Sequence, residues 1–320
     1  MTAAILPALR KPRLGRFGDP AFRALTSAFA LLVLVILGGI VAALARGALP
    51  ALAKFGLPFL ASAAWNPVKE NFGAAAPIYG TLVTSAIAML VAIPLAFGIA
   101  LFITELCPAW LKRPLGTMIE LLAAIPSIIY GIWGLFVFAP FLQAHLEPAI
   151  IASLGALPGI GALFAGPPLG IGLLTAGLIL AIMVLPFITA VMRDVFATVP
   201  AILRESAYGI GATTFEVVWR VVLPYTRTGV LGGIMLGLGR ALGETMAVTF
   251  VIGNAHRIQA SLLQPGTTIS AALANEFTEA VGDIYTSSLI ALGLILFIIT
   301  AIVLALAKLM LIRLEARAGA

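Results

Sequence analysis

Residues 205–224, ESAYGIGATTFEVVWRVVLP, decide the fold because they carry charged side chains between two long apolar segments. Pro200, just upstream, is typical of a helix start, and the glycines Gly209 and Gly211 are typical of a helix end. Thr213 and Glu216 have the spacing of a capping box, so a second helix is expected to begin there. We expect this second helix to stop before Pro224, which lacks a backbone N–H. The stretch therefore predicts a compact, water-exposed knob of two short helices.

The composition of the rest of the chain excludes a soluble globule. Of 320 residues, 62% are hydrophobic and 10% are charged, which leaves too few polar side chains to cover a water-facing surface. Apolar runs long enough to cross a bilayer, about 20 residues each, occur at about 26–46, 79–104, 115–142, 170–192, 228–252 and 286–312. The sequence predicts an all-α membrane protein with a six-helix domain over 26–312, between a tail at 1–25 and a tail at 313–320.

The basic residues predict the orientation of these spans. Most of the 19 Lys and Arg residues fall in the N-terminal tail, the second and fourth connections and the C-terminal tail. The first, third and fifth connections carry only Arg46, Lys54, Lys69 and Arg257. By the positive-inside rule, both termini and the knob, within a connection at about 193–227, are expected in the cytoplasm. The net charge of +6 follows from this topology, so we expect membrane lipid around the chain and no nucleic-acid partner.

The knob also carries a sequence signature. It follows the pattern E-A-A, three residues, G, nine residues, I-x-L-P, at Glu205, Ser206, Ala207, Gly211, Val221, Leu223 and Pro224, with Ser206 in place of the middle alanine. This pattern resembles the EAA loop of ABC importer permeases. The resemblance implies a type I ABC importer permease fold, in which these residues form a cytoplasmic coupling helix that docks on an ATPase subunit. The other interpretation is an ordinary amphipathic connection between two spans.

The fifth span contains a charged pair, Arg240 and Glu244, where charges are costly and usually mark a pathway or a paired site. On one continuous helix both would share a narrow face with Gly229, Gly233 and Gly237, whose GxxxG spacing favours close helix packing. In one interpretation the two charges neutralise each other as a packing staple. In the other, Arg240 offers a planar fork of donors to an oxyanion. Glu244 would then orient Arg240 and accept a proton from hydrogen phosphate, which sulfate lacks.

Three further residues are candidates for a substrate pathway. Ser127 and Tyr130 follow Pro126 in the third span, where an irregular helix at membrane depth must face protein or a cavity. Thr81 lies on a face of small and hydroxylated residues in the second span. Each of the three either lines a path or makes a structural contact between helices, and the sequence leaves both interpretations open.

Three segments together resemble the C-type permease subunits of bacterial high-affinity phosphate importers: GRALGETMAVTFVIGN (239–254), AIPSIIYGIWG (124–134) and WNP with IYGTL (65–67 and 78–82). The resemblance covers the six spans. It implies a location in the bacterial inner membrane, transport of inorganic phosphate, and three kinds of partner. These are a sister A-type permease, two copies of a cytoplasmic ATPase and a periplasmic phosphate-binding protein.

No phosphate-binding loop of the form GxxxxGK[ST] occurs in the sequence. We therefore expect a transport subunit that is not an enzyme, with no catalytic residues, metal or cofactor of its own, while the partner ATPase uses ATP and Mg²⁺. Two alternatives remain: a permease for another oxyanion, such as sulfate or molybdate, and a transporter driven by an ion gradient.

Overall fold

The computed structural model describes residues 15–318, with side chains described from Gly18 to Arg313. Arg10, Lys11 and Arg13 of the predicted N-terminal tail lie outside the described residues. The chain divides into two compact units, Met1–Gly47 and Ala48–Ala320. In the first unit, the described part belongs to helix α1, whose apolar side chains from Phe22 to Ile40 are exposed along their length, as lipid-facing side chains are.

The first half of the chain contains seven helices and one small hairpin among the described residues. Two π-helical turns, Gly134–Phe138 and Leu142–Leu146, link α5, α6 and α7 into one continuous rod. Another, Phe102–Leu106, extends α3. The elements are α1 Gly15–Phe55, α2 Pro58–Ala61, β1 Trp65–Asn66, β2 Asn71–Phe72, α3 Ala75–Leu101, α4 Ala109–Ala124, α5 Ser127–Trp133, α6 Ala139–Phe141 and α7 Glu147–Leu154. The hairpin is antiparallel, with Trp65 opposite Phe72.

The second half begins after a short 3₁₀ turn at Gly161–Phe164 and continues to the end of the described chain. A π-helical turn at Val218–Val222 joins α10 to α11. The helices are α8 Leu173–Ala197, α9 Ala201–Gly209, α10 Thr214–Val217, α11 Leu223–Gly243, α12 Met246–Thr249, α13 Ile269–Glu276 and α14 Asp283–Ala318.

Six helices in the described part of the chain are long and apolar enough to cross a membrane, which confirms the predicted number of spans. They are Gly18–Phe55, Ala75–Leu106, Ser127–Leu154, Leu173–Ala197, Thr214–Gly243 and Asp283–Arg313.

Several of the predicted boundaries are wrong, among them the end of the third span, which lies at Leu154 and not at about 142, and two of the errors depend on proline. The third span does not run from 115: Ile125 and Pro126 are extended, and this breaks the chain into α4 and the helix that begins at Ser127. Pro224 does not end the second knob helix, because the π-helical turn before it accommodates the proline ring and its missing N–H. The fifth span ends at Gly243, before the predicted 252.

The core of the second unit forms where α3 and α11 pack on α8. Small residues on α3, namely Ala88, Ala92, Ala96 and Ala100, are fully buried at four-residue spacing. Since lipid tails are as apolar as leucine, close van der Waals contact between helices contributes most of the stability here.

The glycine face of α11 packs on α8, as its spacing predicts. A Cβ atom added at Gly229 would lie 2.6 Å from Val195, and one at Gly237 would lie 2.5 Å from Ile188. Gly233 similarly approaches Val191, at 2.9 Å. Gly243, at the end of the same helix, has nothing within 4 Å of its added Cβ.

Candidate functional site

The knob is built by hydrogen bonds between residues close in sequence. After α9, Gly211 adopts φ +89°, and two backbone bonds close a Schellman motif: Ala212 N–H donates to Ala207 C=O (3.1 Å) and Gly211 N–H to Tyr208 C=O (2.9 Å). No heavy atom lies within 4 Å of an added Cβ at Gly211, so glycine is needed there for its backbone conformation alone. The predicted stop at the glycines is confirmed.

The predicted capping box is also confirmed. Glu216 N–H donates to Thr213 Oγ1 at 3.4 Å, and Thr213 N–H donates to Glu216 Oε2 at 2.9 Å. These two bonds begin α10 immediately after the glycine turn, so the knob consists of α9, the turn and α10.

The surface of the knob is apolar where a soluble surface would be polar. Ile210 is 88% exposed and Phe215 is 70% exposed, and Ile202 and Trp219 are exposed as well. Glu205 and Ser206 lie on the exposed side of α9, while Ala207 packs against the core. Leu223 is half-buried and Pro224 is exposed, beyond the π-helical turn. Exposed apolar side chains rimmed by charge are typical of a protein-binding surface.

An ion pair connects the knob to two membrane helices. Arg204 Nη2 lies 3.0 Å from Glu105 Oε1, at the end of the second span, and donates to Phe196 C=O at 2.7 Å, at the end of α8. The Glu105 side chain is only 6% exposed. Our sequence analysis missed this pair, because Arg204 and Glu105 are 99 residues apart and no local pattern relates them. The pair and the hydrogen bond fix the start of α9 to the ends of two membrane helices.

The second candidate region lies around Arg240, in the last turn of α11. Arg240 is exposed, and its guanidinium carbon lies 5.8 Å from the centre of the Phe187 ring on α8, a cation–π contact. The cation–π contact thus places the Arg240 guanidinium beside α8.

Glu244 is not on the same helical face as Arg240. The helix ends at Gly243, and Glu244 is extended, with ψ 133°. Its Oε1 accepts a hydrogen bond from Ala247 N–H at 3.4 Å, and no ion pair with Arg240 occurs in the part of the chain that the structure describes. The packing-staple interpretation is therefore wrong, as is the expectation that Glu244 orients Arg240 directly.

The other predicted pathway residues differ in whether their polar groups form hydrogen bonds within the protein. Tyr130 is buried, and its hydroxyl donates to Leu122 C=O at 2.9 Å across the break at Pro126. Thr81 is also buried: its hydroxyl donates to Pro77 C=O at 2.8 Å and accepts from Ile269 N–H at 3.0 Å. Ser127 is half-buried at the first position of α5.

The segment after α11 folds back against the bundle in a way that the sequence did not reveal. A Cβ at Gly80 would lie 1.9 Å from Thr267 C=O, and one at Gly131 would lie 2.8 Å from Phe250 and 3.0 Å from Met246 C=O. These glycines therefore let the returning chain, α12 to α13, lie directly on α3 and α5.

A polar clamp fixes the end of this returning segment. Glu276 Oε2 accepts hydrogen bonds from Trp65 Nε1–H and from Tyr285 O–H (2.8 Å), while His256 Nε2 lies 2.6 Å from Glu276 Oε1. The His256 ring stacks on Trp65, with centres 4.5 Å apart. Burial alone would raise the pKa of the Glu276 carboxyl, but the hydrogen bonds from His256, Tyr285 and Trp65 outweigh it and hold that pKa below its usual range. Trp65 is thus a structural contact within the protein.

Comparison with known proteins gives one consistent result. A family model described as "Binding-protein-dependent transport system inner membrane component" matches residues 92–315. The chain is 65% identical to a phosphate transport system permease protein PstC of Mesorhizobium japonicum, with 98% of each chain covered. It is 58% identical to the protein of the same name from Pasteurella multocida, with 93% of each covered.

Solved structures show the same fold at low sequence identity. A chain of a bacterial alginate ABC transporter, in complex with a periplasmic protein, superposes with a TM-score of 0.60 at 16% identity, covering 93% of this chain and 97% of that one. A chain of the inward-facing MetNI methionine ABC transporter gives 0.56 at 15% identity, covering 74% and 94%. These structures support the type I importer permease fold.

Proposed function

Because the chain belongs to the family of binding-protein-dependent transport system inner membrane components, we propose that it forms, with a sister A-type permease, the pathway by which inorganic phosphate enters the cytoplasm. The protein is a multi-pass permease subunit of the inner membrane. The observation that carries the proposal is the high identity, over almost the whole length of both chains, to permeases named for phosphate transport.

Arg240 is the residue we assign to phosphate in this pathway. It is exposed on this chain, in the last turn of α11, so its guanidinium is open to a ligand or a second permease. The Phe187 ring contacts the guanidinium from one side. The Arg240 side chain therefore has fewer rotamers to lose when it binds phosphate. A planar guanidinium matches two phosphate oxygens at once, and it stays charged at every physiological pH.

Glu244, half-buried just beyond the helix end, supplies a carboxylate near the same point of the pathway. We propose that the Glu244 carboxylate accepts the hydrogen bond that hydrogen phosphate donates through its proton. A carboxylate accepts a hydrogen bond from a protonated oxyanion and repels a fully ionised sulfate, so its position favours phosphate over sulfate.

Coupling to ATP is assigned to the knob. Its exposed apolar residues and Glu205 dock on a cytoplasmic ATPase subunit, two copies of which bind and hydrolyse ATP with Mg²⁺. A periplasmic phosphate-binding protein delivers the substrate on the opposite side. This arrangement requires both termini and the knob in the cytoplasm, which the distribution of Lys and Arg supports.

The decisive experiment is uptake of radiolabelled phosphate into cells that lack their own importer and express this chain with its partner subunits. We expect saturable, ATP-dependent uptake that excess unlabelled sulfate and molybdate leave unchanged. Inhibition by either anion would indicate that the substrate is another oxyanion. Uptake that persists without any ATPase would favour a transporter driven by an ion gradient.

The docking assignment has its own test in Glu205→Lys. Reversal of this exposed charge is expected to uncouple ATP hydrolysis from uptake while the complex still assembles. Glu279→Lys, an exposed carboxylate outside the knob, is the matched control. Normal coupled uptake by the Glu205 variant would contradict the docking role.

A further inference from the structure

A basic cleft lies beside the knob, on the side of α4 that faces α8. It encloses about 550 Å³, within the range of small-molecule sites, between α4, the π-helical turn Phe102–Leu106, the end of α8 and Arg204 of α9. Four basic side chains line it, Lys112, Arg113, Arg193 and Arg204, against one carboxylate, Glu120. Neither the phosphate pathway nor the docking surface uses this cleft.

Two of the four cations are held in place by acidic partners. Arg193 Nη2 lies 2.8 Å from Glu120 Oε1 and 2.9 Å from Asp194 Oδ1. The absence of a side chain at Gly116 makes room for it, since a Cβ there would lie 2.7 Å from Arg193 Nη1. Arg204 is held by Glu105, yet its buried Nε has no hydrogen-bond partner. These contacts give the cleft a rigid wall.

The other two cations lack acidic partners. Lys112 Nζ donates one hydrogen bond, to Thr104 C=O at 2.7 Å, and an ammonium has two further protons to donate. Neither Lys112 nor Arg113 forms an ion pair within residues 18–313. Two neighbouring cations beside a partly enclosed cleft repel each other, and a bound anion would remove that repulsion.

Helix α4 carries charged side chains on one face and large apolar side chains on the opposite face. Lys112, Gly116 and Glu120 follow each other at four-residue spacing, on the cleft side. The opposite side exposes Trp110, Met118 and Leu121. An amphipathic helix with cations on one face and large apolar residues on the other is typical of a membrane interface, where both lipid headgroups and dissolved anions are present.

We propose that this cleft is a binding site for a phosphate-bearing anion, held by Lys112 and Arg113 against the fixed guanidinium of Arg193. The Arg113 guanidinium and the Lys112 ammonium together match phosphate oxygens, the first in a planar fork and the second as a point charge. The same chemistry is offered by inorganic phosphate and by the headgroup of an anionic phospholipid. An inorganic phosphate or a phospholipid headgroup bound in this cleft would contact α4, α8 and α9, the three helices that meet beside the knob.

The experiment compares two double variants of the purified, assembled importer. Lys112→Gln with Arg113→Gln removes the two unpaired cations of the cleft, and Lys69→Gln with Arg257→Gln removes two exposed cations elsewhere. Phosphatidylglycerol binding is measured by native mass spectrometry, and binding of radiolabelled inorganic phosphate by equilibrium dialysis of delipidated protein. The two double variants retain the same transport pathway, so that pathway cannot account for a difference between them.

We expect the cleft variant to bind one of the two probes at least about tenfold more weakly than the control variant, since the two cations without acidic partners that attract the anion are removed. A loss confined to phosphatidylglycerol identifies a lipid site, and a loss confined to inorganic phosphate identifies a site for the free anion. Equal affinity of the cleft and control variants for both probes would overturn the proposal. Arg113→Gln alone, an exposed substitution, repeats the test if the double variant fails to assemble.

Discussion

Different interactions specify the two ends of the continuous helix from Thr214 to Gly243. At the first end, the capping box of Thr213 and Glu216 and the Schellman turn at Gly211 are made within a few residues of sequence. At the other end, α11 stops at Gly243 although glycines recur from Gly229 onward and no local signal marks the last one. Hydrogen bonds between near neighbours therefore specify the coupling end, whereas packing against distant segments specifies the end that carries Arg240.

The largest effect is expected on phosphate transport, from substitution of Arg240. Arg240→Ala should lower phosphate uptake by about 100-fold, because hydrogen bonds to a charged group contribute about 1.5–3 kcal/mol and the guanidinium is the group that we assign to phosphate. Arg240→Lys keeps the charge but loses the planar fork, so we expect an intermediate loss. Uptake is measured in cells, with assembly verified by co-purification of the partner subunits. Undiminished uptake by Arg240→Ala would remove Arg240 from the pathway.

Packing at the same end is tested by Gly131→Ala. The added Cβ would lie 2.8 Å from Phe250 and 3.0 Å from the backbone oxygen of Met246, and backbone cannot easily move aside. We expect a loss of stability of about 1–3 kcal/mol, as is usual for an overpacked site. The measurement is the midpoint of thermal unfolding of the purified importer. Gly243→Ala, with no atom within 4 Å of its Cβ, is the matched control, and equal midpoints would contradict the role of packing here.

The coupling end is tested by Gly211→Ala, whose effect should be smaller. Here space is free and only the backbone angle, φ +89°, opposes a side chain, which costs roughly 1–2 kcal/mol for an L-residue. Gly209→Ala is the control in the same turn, since Gly209 lies in the helix with no positive φ and no close neighbour. A lower unfolding midpoint is expected for the first variant alone. If both variants behave alike, the left-handed turn is not what shapes the knob.

The same distinction explains how much of the molecule the sequence could predict. The six spans, the glycine face of α11 and the capping box follow from composition, spacing and near-neighbour chemistry, and all three are confirmed. The end of the fifth span at Gly243 and the return of 244–276 onto α3 and α5 could not be predicted, because they depend on contacts such as Gly80 with Thr267. The pair of Arg204 and Glu105 was missed for the same reason. The roles of Ser127, Tyr130 and Thr81 in a pathway stay predictions.

The smallest effect concerns the clamp that holds the end of the returning segment. Because hydrogen bonds lower the pKa of Glu276 in the folded protein, the stability that its carboxylate contributes is present above the unfolded value, about 4.3 for Glu, and is lost as the pH falls through the lower folded value. The unfolding midpoint of the wild-type importer should therefore fall as the pH is lowered below about 4.3. It should fall less steeply in Glu276→Gln, which has no carboxylate to protonate. Glu279→Gln, an exposed residue three positions away, should follow the wild type, and an unchanged slope in Glu276→Gln would mean that the Trp65 and Tyr285 contacts hold the segment without help from the charge.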